Sequence, residues 1–250
     1  MTENQVQVKI ALCGATGKTS QDIIKKAQSL PAQFKIVSEF SSSSKLEDLS
    51  TFCESADVVI DFSNPAILPD LLKHCVLHNK PLVCGTTGLD QDHIKYLHES
   101  SHKIPIVYSA NMSKGINLIA ALIAKCAKAL GEQYDTEIIE YHHRYKKDAP
   151  SGTAIMLGKE IAKAKNLNFD DNLVLSRSSK NLRKPNEIGI VSVRGGGIKG
   201  EHEVIFASDN EIIKLSHQAI SREAYADGAL KAALWILDKK PKLYSMQDLS

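Results

Sequence analysis

The sequence has no apolar run long enough to cross a lipid bilayer and no excess of charge of either sign. Its 250 residues include 31 Lys and Arg against 29 Asp and Glu, which gives a formal net charge of +2. A membrane-spanning helix needs about 20 consecutive apolar residues, and nucleic-acid-binding domains usually carry a basic excess. We therefore expect a protein with no membrane segment and no nucleic-acid partner.

The sequence also lacks paired cysteines, a metal-ligand pattern and a targeting segment. Its cysteines are odd in number, widely spaced and without a Cys-x-x-Cys pair, so they indicate reduced thiols rather than disulfides or a zinc site. They are Cys13, Cys53, Cys75, Cys84 and Cys126. No histidine cluster has metal-ligand spacing, so we expect no metal. The first residues, MTENQVQVKIAL, contain no basic leader followed by a long apolar core, and the protein is predicted to be cytoplasmic.

The first motif present is a glycine turn between a predicted strand, Val6 to Cys13, and a predicted helix. The turn reads GATGKTS. Gly14 would allow the tight bend, and Gly17 would let the backbone approach a pyrophosphate at the helix N-terminus. Ser20 takes the place of the third glycine of a dinucleotide-binding fingerprint. Taken alone, the motif is equally compatible with an ordinary strand-to-helix turn.

Four further apolar segments alternate with helical patterns and predict an α/β fold with a Rossmann-type doubly wound parallel sheet. The predicted strands are Phe34 to Phe40, Asp57 to Phe62, Pro81 to Cys84 and Ile104 to Ser109. In such a sheet the ligand lies beyond the carboxyl ends of the strands, where the polar and glycine-rich segments of this sequence fall. The residues expected to bind a nicotinamide cofactor are Gly14, Ala15, Thr16, Gly17, Lys18, Thr19, Ser41, Gly85, Thr86, Thr87, Ser109, Ala110, Asn111 and Met112.

The second half of the chain predicts a different architecture. Three strand-like segments, Ile188 to Arg194, His202 to Ala207 and Glu211 to His217, follow one another with no helical pattern between them. Consecutive strands of this kind favour an antiparallel or mixed sheet, so we expect an α+β second domain. Before them, Asn166 to Asn186 is interpreted as a polar loop with a possible short strand at Leu173 to Arg177.

The chemistry-bearing stretch runs from Glu137 to Ala154 and reads EIIEYHHRYKKDAPSGTA. It predicts a strand that delivers histidines and lysines to its carboxyl end, then a turn into a helix whose first N–H groups form an anion site. Histidine and lysine beside an anion site suit the binding and protonation of a carboxylate-bearing substrate. A solvated basic connection between a strand and a helix is the alternative interpretation.

This stretch closely resembles the signature of the dihydrodipicolinate reductase family, which acts in lysine and diaminopimelate biosynthesis. The matching residues are Glu140, His142, His143, Lys146 and the segment DAPSGT from Asp148 to Thr153. The segments IDFS, GTTG, SANM, VRGGGIKGEHEV and REAYADGAL also look like family segments in family order. The resemblance therefore covers essentially the whole chain.

The resemblance implies a reductase that transfers hydride from NADPH or NADH to 4-hydroxy-tetrahydrodipicolinate, giving tetrahydrodipicolinate and water. It implies His142 as a proton donor or acceptor and Lys146 as a second proton donor. His143, Gly152 and Thr153 would bind the carboxylates of the substrate.

The resemblance also implies how the chain is divided. Residues 1–112 and 221–250 would form the dinucleotide-binding domain, and residues 113–220 would be an inserted domain that binds substrate and builds a homotetramer. Two histidines outside the signature, His202 and His217, lie in or beside predicted strands, and we interpret them as hydrogen-bonded scaffold residues.

The cofactor preference is predicted from the end of the second strand. An NAD-specific site usually places a carboxylate there to bind the ribose hydroxyls, whereas Ser41 holds that position here, with Ser42, Lys18 and Lys45 near it in sequence. Hydroxyl and ammonium groups suit a 2′-phosphate, so we expect NADPH to bind at least as well as NADH. Glu39 is the opposing feature, since strand alternation would put its carboxylate on the face of Ser41.

Two other functions stay open on the residues alone: another Rossmann-fold dehydrogenase of amino-acid metabolism, and a non-catalytic protein that senses NADPH. The first has no reason to carry HHRYKKDAPSGT. The second would tolerate the loss of His142 and Lys146, and both are present.

Overall fold

The computed structural model describes residues 7–177 and 182–249, and these divide into two units. The first unit ends at Lys114 and resumes at Arg222, and the second runs from Gly115 to Ser221. In these described ranges, no helix is both long enough and apolar enough to cross a membrane.

In chain order, the strands and α-helices of the described residues are β1 (Val8–Cys13), α1 (Lys18–Ser29), β2 (Phe34–Phe40), α2 (Leu49–Glu54), β3 (Val58–Asp61), α3 (Leu68–Leu77), β4 (Leu82–Cys84), α4 (Gln91–Ser101), β5 (Pro105–Tyr108), α5 (Lys114–Leu130), β6 (Asp135–His142), α6 (Gly152–Ala164), α7 (Phe169–Asn172), β7 (Leu173–Val174), β8 (Ile188–Arg194), β9 (Glu201–Ala207), β10 (Ile212–Gln218), α8 (Glu223–Trp235) and β11 (Lys242–Tyr244).

The first unit is built around a six-stranded parallel sheet with the strand order β11-β5-β4-β3-β1-β2. Every residue of β3 and β4 is buried, and strands buried on both faces need helices on both sides of the sheet. On one side, α1 and α8 contribute Ile23 and Ala229 to an apolar core. On the other, α2, α3 and α4 contribute Phe52, Leu71 and Leu97. The predicted doubly wound α/β sheet is confirmed.

The second unit contains a five-stranded mixed sheet with the strand order β10-β9-β6-β8-β7. Strand β6 lies at its centre, parallel to β8 and antiparallel to β9. Alternation along β6 buries Thr136, Ile138, Glu140 and His142 on one face. Ile138 joins the apolar core with α5 and α6, so Glu140 and His142 lie further along that face, at the carboxyl end of the strand. The predicted mixed sheet is confirmed.

The segment after α6 differs from the polar loop predicted for Asn166 to Asn186. Asn168 accepts hydrogen bonds from two N–H groups and so starts the short helix α7. The strand predicted over Leu173 to Arg177 is wrong in its extent, because only its first two residues pair with β8. Residues 178–181 of this prediction lie outside the described residues, as does Val6 of the first predicted strand.

Candidate active site

The predicted glycine turn forms the first part of a candidate nucleotide site. Gly14 has a positive φ of 80°, and a Cβ atom there would lie 2.4 Å from the carbonyl oxygen of Phe62. Gly14 and Ala15 donate their N–H groups to the carbonyl of Phe40 at 2.8 and 3.0 Å, which ties the turn to the end of β2. The position therefore requires glycine both for its backbone conformation and for its space.

The turn leads directly into α1, whose N-cap is Gly17. Glycine has no side chain that could cap a helix, and the N–H groups of a first helical turn, here including Lys18 and Thr19, have no partner within the helix itself. A phosphate is a common outside acceptor for such groups. Thr16 and Gly17 are exposed, whereas Ala15 is buried.

A cavity of about 460 Å³ lies beside this turn, at the carboxyl ends of β1, β2 and β3. Its lining includes Gly14, Gly17, Ser41, Ser63 and Asn64. The volume is typical of small-molecule sites, and the walls combine a glycine turn, a helix N-terminus and hydroxyl groups. These residues fit a nicotinamide dinucleotide.

The serine cluster after β2 lines this cavity, whereas Glu39 lines a separate one beside Gln28 of α1. The N–H of Ser41 donates to Ser44 Oγ at 3.1 Å, and the N–H of Ser44 donates to the Ser41 carbonyl at 3.0 Å. Strand β2 ends at Phe40, so Ser41 belongs to the turn that follows it. The expectation that Glu39 shares the face of Ser41 stays a prediction.

The turn after β4 is joined to the end of β3 by one buried carboxylate. Asp61 accepts hydrogen bonds from the hydroxyl groups of Ser63 and Thr86, at 2.5 and 2.7 Å, and from the N–H of Ser63 at 3.0 Å. Burial raises the pKa of Asp61 more than these hydrogen bonds lower it. The hydroxyl of Thr86 is therefore already hydrogen-bonded to Asp61. Its two neighbours were also predicted to bind the cofactor: Gly85 is buried and Thr87 is exposed.

The loop after β5 is shaped by its own polar side chains. Ser109 Oγ donates to the carbonyl of Asn111 at 2.8 Å, and Asn111 Oδ1 accepts the N–H of Ser113 at 2.9 Å. Met112 is buried in the apolar core of the first unit. Ala110 and Asn111 are half-buried, so they are the part of this predicted set that a cofactor would reach most directly.

In the second unit, the candidate catalytic groups surround the carboxylate of Glu140, which is 0% exposed. Arg194 of β8 forms a bidentate pair with it, from Nη2 to Oε1 at 2.7 Å and from Nη1 to Oε2 at 2.8 Å. The N–H of Ser151 donates to Oε1 at 3.1 Å. Burial alone would raise the pKa of Glu140, but hydrogen bonds from Arg194, Ser192 and His142 outweigh it and lower that pKa to about 2.

His142 follows Glu140 on the same face of β6. Its Nδ1 lies 2.5 Å from Glu140 Oε2. An ionised carboxylate only accepts hydrogen bonds, so Nδ1 carries the proton and Nε2 keeps its lone pair in the neutral ring. Burial lowers the pKa of His142, and the Glu140 carboxylate offsets part of that effect. The ring therefore offers a proton acceptor at Nε2 near neutral pH.

Lys146 lies in the loop after β6, with its Nζ 2.8 Å from Asp148 Oδ2. Burial raises the pKa of Asp148, but the hydrogen bond from Lys146 helps to lower it below its ordinary value. Arg194 donates to the carbonyl of Asp148 at 2.6 Å. The same arginine therefore binds both Asp148, the partner of Lys146, and Glu140, the partner of His142. His143 is half-buried beside Tyr145, and its Nδ1 has no hydrogen-bond partner among residues 7–177 and 182–249.

Helix α6 begins at Gly152 and is capped by Ser151, whose Oγ accepts the N–H of Ala154 at 3.2 Å. Gly152 and Thr153 occupy its first two positions, where N–H groups point out of a helix N-terminus. Gly152 is exposed, and a Cβ atom added there would meet nothing within 4 Å. A carboxylate is a ligand that such a helix start favours.

His202 of β9 contacts both Ser151 and His142. Its Nε2 lies 3.0 Å from Ser151 Oγ, and its ring meets that of His142 edge to face with centroids 5.2 Å apart. Burial lowers the pKa of His202 to about 3, so the ring is a neutral, hydrogen-bonded support, as the sequence interpretation expects. His217 is its register partner on β10, and burial lowers the pKa of His217 as well.

Arg194 and Asp61 are the residues of these sites that the sequence analysis misses. Arg194 is the register partner of His142 in the parallel β6–β8 pair, and its contact with Glu140 joins residues 54 positions apart. No local pattern encodes such a partner. Asp61 does leave a signal, because a carboxylate at the end of the apolar segment DVVID needs hydrogen-bond donors once it is buried.

Comparison with known proteins gives matches along almost the whole chain. Residues 8–112 match the family model described as Dihydrodipicolinate reductase, N-terminus, and residues 115–249 match the model described as Dihydrodipicolinate reductase, C-terminus. A curated protein of Rickettsia rickettsii named 4-hydroxy-tetrahydrodipicolinate reductase is 46% identical over 242 residues, which cover 97% of this chain and 98% of that protein. A protein of the same name from Caldanaerobacter subterraneus subsp. tengcongensis is 44% identical over 251 residues, covering 98% of each.

Solved structures show the same fold at lower identity. The dipicolinate-bound dihydrodipicolinate reductase from Paenisporosarcina sp. TG-14 superposes with a TM-score of 0.72 at 19% identity, covering 98% of this chain and 100% of that one. The C. glutamicum DAP dehydrogenase in complex with DAP gives a TM-score of 0.57 at 12% identity, with coverage of 98% and 96%. At these identities the likeness concerns the fold alone.

Proposed function

The chain belongs to the dihydrodipicolinate reductase family and is an oxidoreductase of the reduction step in lysine biosynthesis, and on that premise we propose how its residues reduce 4-hydroxy-tetrahydrodipicolinate to tetrahydrodipicolinate. The observation that carries the proposal is the buried carboxylate of Glu140, which contacts His142 and the start of α6, with Lys146 near enough for its charge to act on His142. Family membership favours neither a different dehydrogenase nor a non-catalytic NADPH sensor.

The substrate would be bound through its two carboxylates. The first N–H groups of α6, at Gly152 and Thr153, and the imidazole of His143 are the groups proposed for this role. The open space before Gly152 supports it, as does the buried Nδ1 of His143, which lacks a partner within the described part of the chain. A helix N-terminus stabilises a carboxylate without needing a buried arginine of its own.

The proton chemistry would be divided between two residues. When bound, the nicotinamide supplies the hydride. The departing hydroxyl group needs a proton to leave as water, and the electron pair left by hydride addition takes up a proton. Lys146 would donate a proton in these steps. Neutral His142, with its proton on Nδ1, would accept a proton at Nε2 and return it. Both groups reach the substrate from the carboxyl end of β6 or the loop that follows it.

The activity is tested by mixing the purified protein with enzymatically generated substrate and following nicotinamide absorbance. Consumption of NADPH or NADH that depends on the substrate is expected, and His142→Ala should lower kcat by roughly 10²–10⁴-fold. A protein that oxidises neither nucleotide in the presence of substrate would contradict the proposal.

The cofactor is proposed to be NADPH at least as readily as NADH. Support comes from Ser41 and Ser42, which line the cavity beside the glycine turn, and from Glu39, which lines a different cavity. Lys18 and Lys45 are exposed nearby in sequence.

Steady-state titration with each nucleotide tests this cofactor preference. Ser41→Asp should move the preference towards NADH, because a carboxylate repels a 2′-phosphate, and Glu39→Gln should leave it unchanged. A wild-type kcat/KM more than tenfold higher for NADH would contradict the proposal.

The two units are proposed to divide the work. The first, for which the sequence predicted residues 1–112 with 221–250, would bind the dinucleotide. The second, for which it predicted residues 113–220, would bind substrate and join copies of the chain into a homotetramer. A cytoplasmic location remains a prediction from the sequence.

A further inference from the structure

We propose that Glu140 is the positioning residue of this site, because its carboxylate selects the tautomer of His142 that can accept a proton at Nε2 and fixes the start of α6 at the same time. The inference rests on the proposed function, since it explains how the proton acceptor named there is oriented.

Four donors at known distances face the two oxygens of Glu140, and the hydroxyl of Ser192, its register partner on β8, also bonds to the carboxylate. Oε1 accepts from Arg194 Nη2 at 2.7 Å and from the Ser151 N–H at 3.1 Å. Oε2 accepts from Arg194 Nη1 at 2.8 Å and lies 2.5 Å from His142 Nδ1. A fully buried carboxylate with charge-assisted bonds on both oxygens has one orientation. The histidine and the cap of α6 are therefore placed by the same group.

These donors differ in whether they can become acceptors. Arg194 keeps its protons, and the backbone N–H of Ser151 can only donate. The imidazole of His142 can donate or accept at Nδ1, depending on its tautomer. The Ser192 hydroxyl, which also bonds to Glu140, can adjust by rotating, whereas His142 adjusts by moving its proton from one ring nitrogen to the other.

Glutamine at position 140 would replace one of the two acceptor oxygens with an NH₂ donor, so one of the partners would have to accept a hydrogen bond. Its NH₂ group at the Oε1 position would oppose two fixed donors, Arg194 and Ser151. At the Oε2 position it would oppose Arg194 alone and could donate to a lone pair on His142 Nδ1. The NH₂ group should therefore occupy the Oε2 position. His142 would then carry its proton on Nε2 and lose its acceptor there.

The other charged or titratable groups that act on His142 do not replace Glu140. Lys146 of the following loop and Arg194 of β8 are cations, and both disfavour a protonated ring. His202 of β9 is kept neutral by burial, which lowers its pKa to about 3. Glu140 is thus the anion that faces the His142 ring within the described residues.

A purely structural role for Glu140 is the competing explanation, because its pair with Arg194 also joins β6 to β8. Strand β6 offers a matched control. Glu137 is bound by Arg177 and Arg183 and lies on the opposite face of the same strand. Glu137→Gln removes the same charge from an ion-paired carboxylate without touching His142.

The test compares Glu140→Gln with Glu137→Gln in the full chain. Glu140→Gln should lower kcat by roughly 10²–10⁴-fold, the range for disabling a proton-transfer group, while KM changes less than kcat. In the wild type, kcat/KM should fall in acid, at a pH below the ordinary histidine pKa, because His142 becomes protonated and its pKa is lowered. That acid limb should be displaced or absent in Glu140→Gln. Glu137→Gln should keep both the rate and the limb.

Nitrogen-15 NMR of the His142 ring, assigned with a His142→Asn sample, gives a readout that needs no turnover. The wild type should show the Nδ1–H tautomer at neutral pH, and Glu140→Gln the Nε2–H tautomer. An Nε2–H ring in an active wild type overturns the inference, even if Glu140→Gln fails to fold. So does a folded Glu140→Gln protein with the kcat of Glu137→Gln. A wild type that shows Nδ1–H but no reductase activity instead contradicts the proposed function.

Discussion

At the scale of the residue, the site keeps one buried group ionised and another neutral. Glu140 stays ionised because donors led by Arg194 outweigh its burial and lower its pKa to about 2. His202 stays neutral because burial lowers its pKa to about 3. The stability from Glu140 is therefore present above its ordinary pKa and is lost as the pH falls towards 2. Acid also lowers stability through His202, because the unfolded chain binds a proton there at a pH at which the folded chain does not.

His202 gives a pH dependence whose sign follows from its lowered pKa. Between pH 6.5 and about 3 the unfolded chain holds the His202 proton more tightly, so the free energy of unfolding should fall as the pH falls, by up to about 1.4 kcal/mol per pH unit. His202→Gln should show a shallower slope in urea unfolding at pH 7, 6, 5 and 4. His98→Gln removes an exposed histidine and should keep the wild-type slope. Equal slopes in the wild type and His202→Gln would contradict the assignment.

Lys146 should serve chemistry rather than folding. Its partner Asp148 has a side chain that is 60% exposed, and such pairs contribute about 0–1 kcal/mol to stability. Lys146→Ala should lower kcat by roughly 10²–10⁴-fold with little change in Tm. Lys147→Ala, which alters the exposed neighbour, should change neither. Unfolding of Lys146→Ala, or normal turnover by it, would show that Lys146 is not a proton donor.

At the scale of the element, the glycine turn before α1 combines two demands that can be measured separately. Gly14 and Gly131 both have a positive φ, of 80° and 64°, but a Cβ atom meets the Phe62 backbone only at Gly14. Gly131→Ala should lose about 1–2 kcal/mol of stability from backbone strain and bind NADPH normally. Gly14→Ala should lose more and bind NADPH poorly, as chemical denaturation and nucleotide fluorescence would show. A Gly14→Ala protein with the wild-type Kd for NADPH would exclude the turn from the nucleotide site.

Elements were predictable from sequence in proportion to their length and periodicity. Strands β2 and β8 have the predicted bounds, Phe34–Phe40 and Ile188–Arg194, because each is a seven-residue segment rich in Val, Ile and Phe. Helix α2 and strand β11 have six and three residues, too few for a period to show. The turn into α6 was readable from the segment DAPSGT, whose proline interrupts regular structure before the helix begins at Gly152. The partner of Glu140 was not, because a parallel neighbour is decided by the whole sheet.

At the scale of the whole molecule, the sheet of the second unit carries exposed apolar side chains on one face. Helices α5 and α6 pack on one face of the five-stranded sheet. On the other, Val191 and Val193 of β8 are 50% and 37% exposed, with Ile139 and Tyr141 of β6 as their register partners. An apolar face of this kind favours association with a symmetric copy.

We expect the protein to sediment as a tetramer at micromolar concentration, with this face buried between chains. Val191→Lys should shift it to smaller species, because burying an unpaired ammonium group is costly. Leu77→Lys, which introduces the same charge at a leucine of α3 that is 69% exposed, should leave the assembly intact. A wild-type monomer would contradict the expected assembly.

The order of the elements along the chain also determines when each unit can complete its fold during synthesis. Strand β1 leaves the ribosome early, but α8, which contributes Ala226, Ala229 and Ala233 to the same apolar core, follows about two hundred residues later. Strand β11 then completes the sheet beside β5. The second unit is continuous in sequence and can fold first. The first unit therefore starts to be translated before the second unit but completes its core after it. A ribosome stalled before α8 would present the apolar face of β1 and β3 to chaperones and proteases.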